Sequence, residues 1–169
     1  EAVKNYEKSL TIKPDYAEAH NNLGNVLRDL NQLDSAIKSY KQALSIKTDF
    51  AEAFNNLGIA LKELGQLDTA VKSYVQVLTI NPDLVEAHTN LGVTLQELSQ
   101  HDAAVKCFEK ALIIKPDFVE AHSNLGISLQ ELGQLDEAVK CFEQAIAIKP
   151  DHAEALNNLG NALYDLGQH

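Results

Sequence analysis

One block of 34 residues recurs along the chain, and that periodicity limits the fold more than any other feature. The segment Ala17–Phe50 returns at Ala51, Val85 and Val119, and half of it returns at Ala153. Full units occupy 17–50, 51–84, 85–118 and 119–152, with no insertion to break the period. The second half of a unit (1–16) comes before them, and the first half of another (153–169) follows.

Both halves of the unit carry helical spacing. Ala19, Leu23, Val26, Leu27 and Leu30 form one stripe, and Ala36, Ile37, Tyr40, Ala43 and Leu44 form the other. A D-x-x-E pair precedes each first helix: Asp15/Glu18, Asp49/Glu52, Asp83/Glu86, Asp117/Glu120 and Asp151/Glu154. This pattern predicts capping boxes, with the Asp accepting an orphan backbone N–H. Second helices are expected to start at Asp34, Asp68, Asp102 and Asp136, each four residues before a Lys. Pro14, Pro82, Pro116 and Pro150 end second helices, with Thr48 in the remaining slot. Gly65, Gly133 and Gly167 fall at turns that need a left-handed residue, and Asn31 and Ser99 stand in elsewhere. Gly24, Gly58, Gly92, Gly126 and Gly160 lie inside first helices, at a cost of about 1 kcal/mol each against Ala. Close approach of the paired helix at Ala36, Ala70, Ala104 and Ala138 is the expected compensation.

The pattern resembles the tetratricopeptide repeat along its whole length. The signature positions are Leu23-Gly24, Leu27, Ala36, Tyr40 and Ala43, and they recur in each full unit, with Phe108 and Phe142 in the Tyr40 slot and Val77 where Ala is usual. The resemblance implies an all-α fold, a right-handed α-solenoid with first helices lining its concave side. It also implies a protein or peptide ligand held in that groove, near Glu18, Asn21, Asn22, Asn25, Arg28 and Asp29.

Within the implied groove the most regular feature is an asparagine ladder: Asn22, Asn56, Asn90, Asn124 and Asn158. A carboxamide accepts and donates, so such a ladder can read a peptide backbone independently of its sequence. The same asparagines can instead hydrogen-bond between units, and both roles stay open. Asn21, Asn55 and Asn157, with Thr89 and Ser123 in register, extend the polar strip, and Asn25 and Asn161 widen it at the ends. The layout is similar to the repeat region of O-linked N-acetylglucosamine transferases and related bacterial repeat proteins, without any glycosyltransferase domain. Asp29, Glu63, Glu97, Glu131 and Asp165 would form an acidic groove rim, tempered by Arg28 and Lys62. A neutral to basic peptide is therefore favoured. The carboxylate clamp of chaperone-tail-binding repeats does not fit, because Glu18, Glu52, Glu86, Glu120 and Glu154 stand where it needs bases.

Other classes are disfavoured. Twenty-four acids against 14 bases give a net charge of −10, which opposes nucleic-acid binding. No apolar run approaches the roughly 20 residues of a membrane helix. His20, His88 and His122 share a register that Phe54 and Leu156 also occupy, so they are expected to be structural and no metal or other cofactor is implied. Cys107 and Cys141 are expected to be free thiols, and an intracellular setting follows from the low cysteine count and the lack of a signal-peptide pattern. No nucleophile–base grouping interrupts the repeat, so no enzymatic activity is expected. The absence of Met suggests a piece of a longer chain. A non-catalytic binding scaffold fits best. The rivals are a substrate-recruiting segment of a larger enzyme and a head-to-tail filament. For the filament, the leading helix should expose Ala2, Val3, Tyr6 and Leu10 and the final helix Leu156, Leu159 and Leu163, with a junction between His169 and the next copy's Glu1.

Overall fold

A computed structural model describes residues 1–167. Among them are ten helices and no strand: α1 (Ala2–Ile12), α2 (Ala17–Asp29), α3 (Leu33–Ile46), α4 (Ala51–Glu63), α5 (Leu67–Ile80), α6 (Val85–Glu97), α7 (His101–Ile114), α8 (Val119–Glu131), α9 (Leu135–Ile148) and α10 (Ala153–Asp165). They fall into two compact units, Glu1–Pro82 with α1 to α5 and a second from Asp83 with α6 to α10.

Each helical hairpin is closed by the same turn. Asn31, Gly65, Ser99 and Gly133 adopt φ of 57°, 77°, 56° and 73°. The next residue's N–H then reaches back to the first helix: Gln32 to Leu27 O, Gln66 to Leu61 O and Gln100 to Leu95 O at 2.8 Å, and Gln134 to Leu129 O at 2.9 Å. These are Schellman closures, which satisfy carbonyls the helix end would otherwise orphan.

Inside each hairpin an aromatic ring lies on a glycine. Tyr40, Tyr74, Phe108 and Phe142 are at most 1% exposed. A Cβ built on Gly24, Gly58, Gly92 or Gly126 would come within 2.5–2.7 Å of the corresponding ring. The mid-helix glycines therefore make room for an aromatic ring, and the expectation that they answer to the partner alanines is corrected. Those alanines are fully buried too, as are Ala43, Val77, Ala111 and Ala145, so the larger Val77 is accommodated without exposure.

The helix starts also differ from the capping-box expectation. The N-cap residues are Tyr16, Phe50, Leu84 and Phe118, none with a side-chain cap. The Asp of each D-x-x-E pair lies one residue further out, in the turn. What orders these turns is apolar. Lys13, Lys47 and Lys115 place Nζ 4.9, 4.7 and 5.0 Å from the ring centroids of Tyr16, Phe50 and Phe118. Phe50 is buried with Ala17, Ala43 and Ala53. His152 is the exception, its Nδ1 accepting from the Ala155 N–H at 3.1 Å. Second helices start at Leu33, Leu67, His101 and Leu135, one residue before the expected Asp, which sits in the first turn where the helix dipole favours an acid.

Within the first unit α2 comes within 8 Å of α4, Cα to Cα, whereas among the described residues α1 does not approach α3, nor α3 approach α5. In the second unit α8 approaches both α6 and α10, but α7 and α9 stay apart. Where first helices touch and second helices splay, each unit curves with its first helices on the inner side.

Candidate peptide-binding faces

The residues singled out by sequence stand on α2, α4, α6, α8 and α10. Asn22, Asn56, Asn90, Asn124 and Asn158 are all half-buried, one per first helix. The side-chain amides of Asn22 and Asn124 pair with no other described residue. Asn56 donates Nδ2–H to Asn21 Oδ1 at 3.0 Å. Asn21 in turn donates to Glu52 Oε1 at 2.9 Å. With 1% of its surface exposed, Asn21 fastens α2 to α4 and is not placed to touch a ligand, which corrects its expected contact role. Glu52 is accordingly an acceptor in this relay, and Glu18 lies 3.9 Å from Lys47 Nζ, so neither acts as a helix cap.

The flanking positions vary. Asn55 is half-buried and Asn157 exposed, the latter's Nδ2 lying 3.5 Å from Asn158 Oδ1. Thr89 bonds back to Val85 O at 2.9 Å, and buried Ser123 leaves its Oγ without a hydrogen-bond partner. Asn25 Oδ1 accepts the Tyr40 hydroxyl at 2.8 Å, which leaves its NH₂ group as the donor for other partners. Burial pushes the Tyr40 phenol up to about 12, so it remains a donor at neutral pH.

Asp29, Glu63, Glu97, Glu131 and Asp165, the acids expected at a groove rim, are exposed. Arg28 sits 3.8 Å from Asp29, and Gln130 donates to Asp165 Oδ2 at 2.9 Å. The Gln96 amide bonds Asn124 O and Ser128 Oγ, both at 2.9 Å, tying α6 to α8. Sequence reasoning passed over Gln96 and Gln130; their signal was an uncharged amide in the register of Arg28 and Lys62.

Two histidines are structural braces. His20 and His122 place Nε2 2.9 and 2.8 Å from the carbonyls of Pro14 and Pro116, pinning the preceding turn. Among the described residues no group of three His, Cys, Asp or Glu could hold a metal ion. Cys107 and Cys141 are free thiols, and burial pushes both up to about 11, so neither is a thiolate nucleophile at neutral pH. The surface depression of about 400 Å³ in the first unit lies on the second-helix side, lined by Asp34, Ile37, Lys38, Lys41, Gln42 and Gln66.

A family model for the TPR repeat matches residues 1–28, 24–65, 60–99 and 129–167, and two for the tetratricopeptide repeat match 85–118 and 107–140. The chain belongs to the tetratricopeptide repeat (TPR) family. TPR proteins are typically non-catalytic protein-interaction modules. A crystal structure of MamA matches with a TM-score of 0.85 at 29% identity, over 90% of this chain and 89% of that one. YrrB, a TPR protein with an unusual peptide-binding site, matches with a TM-score of 0.83 at 24% identity, over 97% and 84%. The first TPR of Spaghetti (RPAP3), bound to the HSP90 peptide SRMEEVD, matches with 0.68 at 23% identity, over 69% and 93%. YrrB and RPAP3 share their fold with this chain. No curated protein sequence matches. Among the described residues no helix is long and apolar enough to cross a membrane.

Proposed function

We propose that this TPR chain is a non-catalytic scaffold whose first-helix faces hold an extended polypeptide through the half-buried asparagines. The observation that carries this reading is that the half-buried side-chain amides of Asn22 on α2 and Asn124 on α8 pair with no other described residue. Each can donate to a peptide C=O and accept from an N–H. Solved TPR relatives with peptide sites, YrrB and the RPAP3 module, support the ligand class. The acidic rim makes a neutral or basic peptide the better fit, since an acidic tail such as SRMEEVD would meet Glu18 and Asp29 in the first unit. Free thiols at Cys107 and Cys141 fit a reducing compartment.

The test pairs two variants against peptides selected from a synthetic array. Asn22→Ala with Asn124→Ala should weaken peptide affinity about thirtyfold, from two lost hydrogen-bond sets at roughly 1 kcal/mol each, with an unchanged thermal midpoint. Asn21→Ala should instead lower the midpoint, because it breaks the α2–α4 relay. Unchanged affinity in the double variant would refute a ligand-reading ladder.

A further inference from the structure

We infer that Ser123, Glu154 and Asn158, where α8 meets α10 in the second unit, hold a lysine side chain of the bound polypeptide. The site rests on the scaffold reading above and adds the chemistry of one ligand side chain. It starts from the relay between α2 and α4, in which Asn56 donates to Asn21 and Asn21 donates to Glu52. Ser123, Glu154 and Asn158 hold the registers of Asn21, Glu52 and Asn56, on helices that likewise pack together.

In the second unit the relay does not close. Serine is one bond shorter than asparagine and carries a single polar atom where the amide carries two. Ser123 is 3% exposed, and its Oγ has no hydrogen-bond partner among the described residues. Nor does it turn back onto its own helix, as Thr89 of the same register does onto Val85 O at 2.9 Å. The hydroxyl is thus left at the helix contact, the side on which Asn21 meets Glu52. Asn158 Oδ1 has only the Asn157 amide, 3.5 Å away. Glu154 is exposed, and its carboxylate pairs with no other described residue.

All three side chains can accept, and what they call for is a donor. An ammonium brings three N–H donors and no acceptor. The surrounding charge sets the same sign. The first unit holds ten acids and nine bases, the second fourteen acids and five bases, so −9 of the net −10 lies in the second. Arg28 and Lys62 stand on α2 and α4, whereas α6, α8 and α10 carry no base, with Gln96, Gln130 and Tyr164 in that register. Lysine suits the site better than arginine, because a compact charge on a flexible four-carbon stem enters a helix contact more readily than a planar guanidinium.

The site does not depend on where the chain ends. Glu52, Glu86 and Glu120 share the register of Glu154 and stay exposed although further helices follow them. The joint expected from sequence, between His169 and a second copy's Glu1, involves a residue outside those described.

The test compares a lysine-bearing peptide from the synthetic array with its analogue carrying norleucine at each lysine, which keeps the stem and removes the charge. Calorimetric titration of the 169-residue chain should show the lysine peptide binding about tenfold tighter, as charge-assisted hydrogen bonds give. Ser123→Asn installs the relay of the first unit, so it should raise the thermal midpoint and cut the preference below about twofold. Glu154→Gln keeps the shape without the charge and should cut the preference equally. Glu52→Gln, the same change in the first unit, should leave it intact. A preference that survives either second-unit variant, or that Glu52→Gln also abolishes, overturns the proposal. Equal binding of the two peptides overturns it as well and leaves the scaffold reading standing. If no array peptide binds, both fall together.

Discussion

Gly58 and Gly160 occupy the same register and answer to opposite forces. At Gly58 an added Cβ would lie 2.7 Å from the Tyr74 ring, which is 1% exposed and has nowhere to retreat. Gly58→Ala should therefore destabilise the chain by about 1–3 kcal/mol, overpacking outweighing the roughly 1 kcal/mol gained in helix propensity. At Gly160 only the propensity term remains, and Gly160→Ala should stabilise by up to about 1 kcal/mol. Urea unfolding of both variants measures the two signs, and equal shifts would contradict the ring-on-glycine packing. The sequence located these glycines in mid-helix and marked a close approach. It pointed to the partner alanine because register says which helices meet. It does not say which side chain leans across the gap, and a ring reaches where a methyl group cannot.

Among the elements, the turns that lead into first helices carry the clearest correction. D-x-x-E spacing reads as a capping box, yet the chain uses an apolar residue at the N-cap and a lysine over its ring. Backbone N–H groups there are met locally: the Ala19 and His20 N–H groups both reach Tyr16 O at 3.1 Å. Substitution separates the two accounts. Phe50→Ala should cost about 3 kcal/mol or more, as a buried aromatic does. Asp49→Ala should change stability by less than about 0.5 kcal/mol, against about 1 kcal/mol for a true cap. Chemical denaturation of the pair distinguishes them. The turns that close each hairpin were legible in advance, because only a left-handed residue fits there and Gly, Asn and Ser stand at the right spacing.

For the molecule as a whole, charge is the property that acts at a distance. A net charge of −10, with Glu63 and Glu131 exposed, should draw basic peptides faster and hold them tighter than acidic ones. A charge-varied peptide array read at low and high salt checks this. Basic peptides should lead at low salt, and their advantage should shrink as the screening length falls from about 10 Å at 0.1 M to about 3 Å at 1 M. Stronger binding of acidic peptides would reverse the expectation.

The 34-residue period by itself determined the helices, their alternation and most of the core. Those depend on local spacing and on nearest-neighbour burial, and both are written linearly in a repeat. Which polar groups are spent inside the fold was decided only by tertiary structure. Asn21 and Asn22 are adjacent and chemically identical, yet one is sealed between α2 and α4 while the other is half-buried with an amide that pairs with no other described residue. Successive helical residues point about 100° apart, so a single step along α2 turns a side chain out of the helix–helix contact. How tightly the next helix closes over that step is a matter of packing in three dimensions.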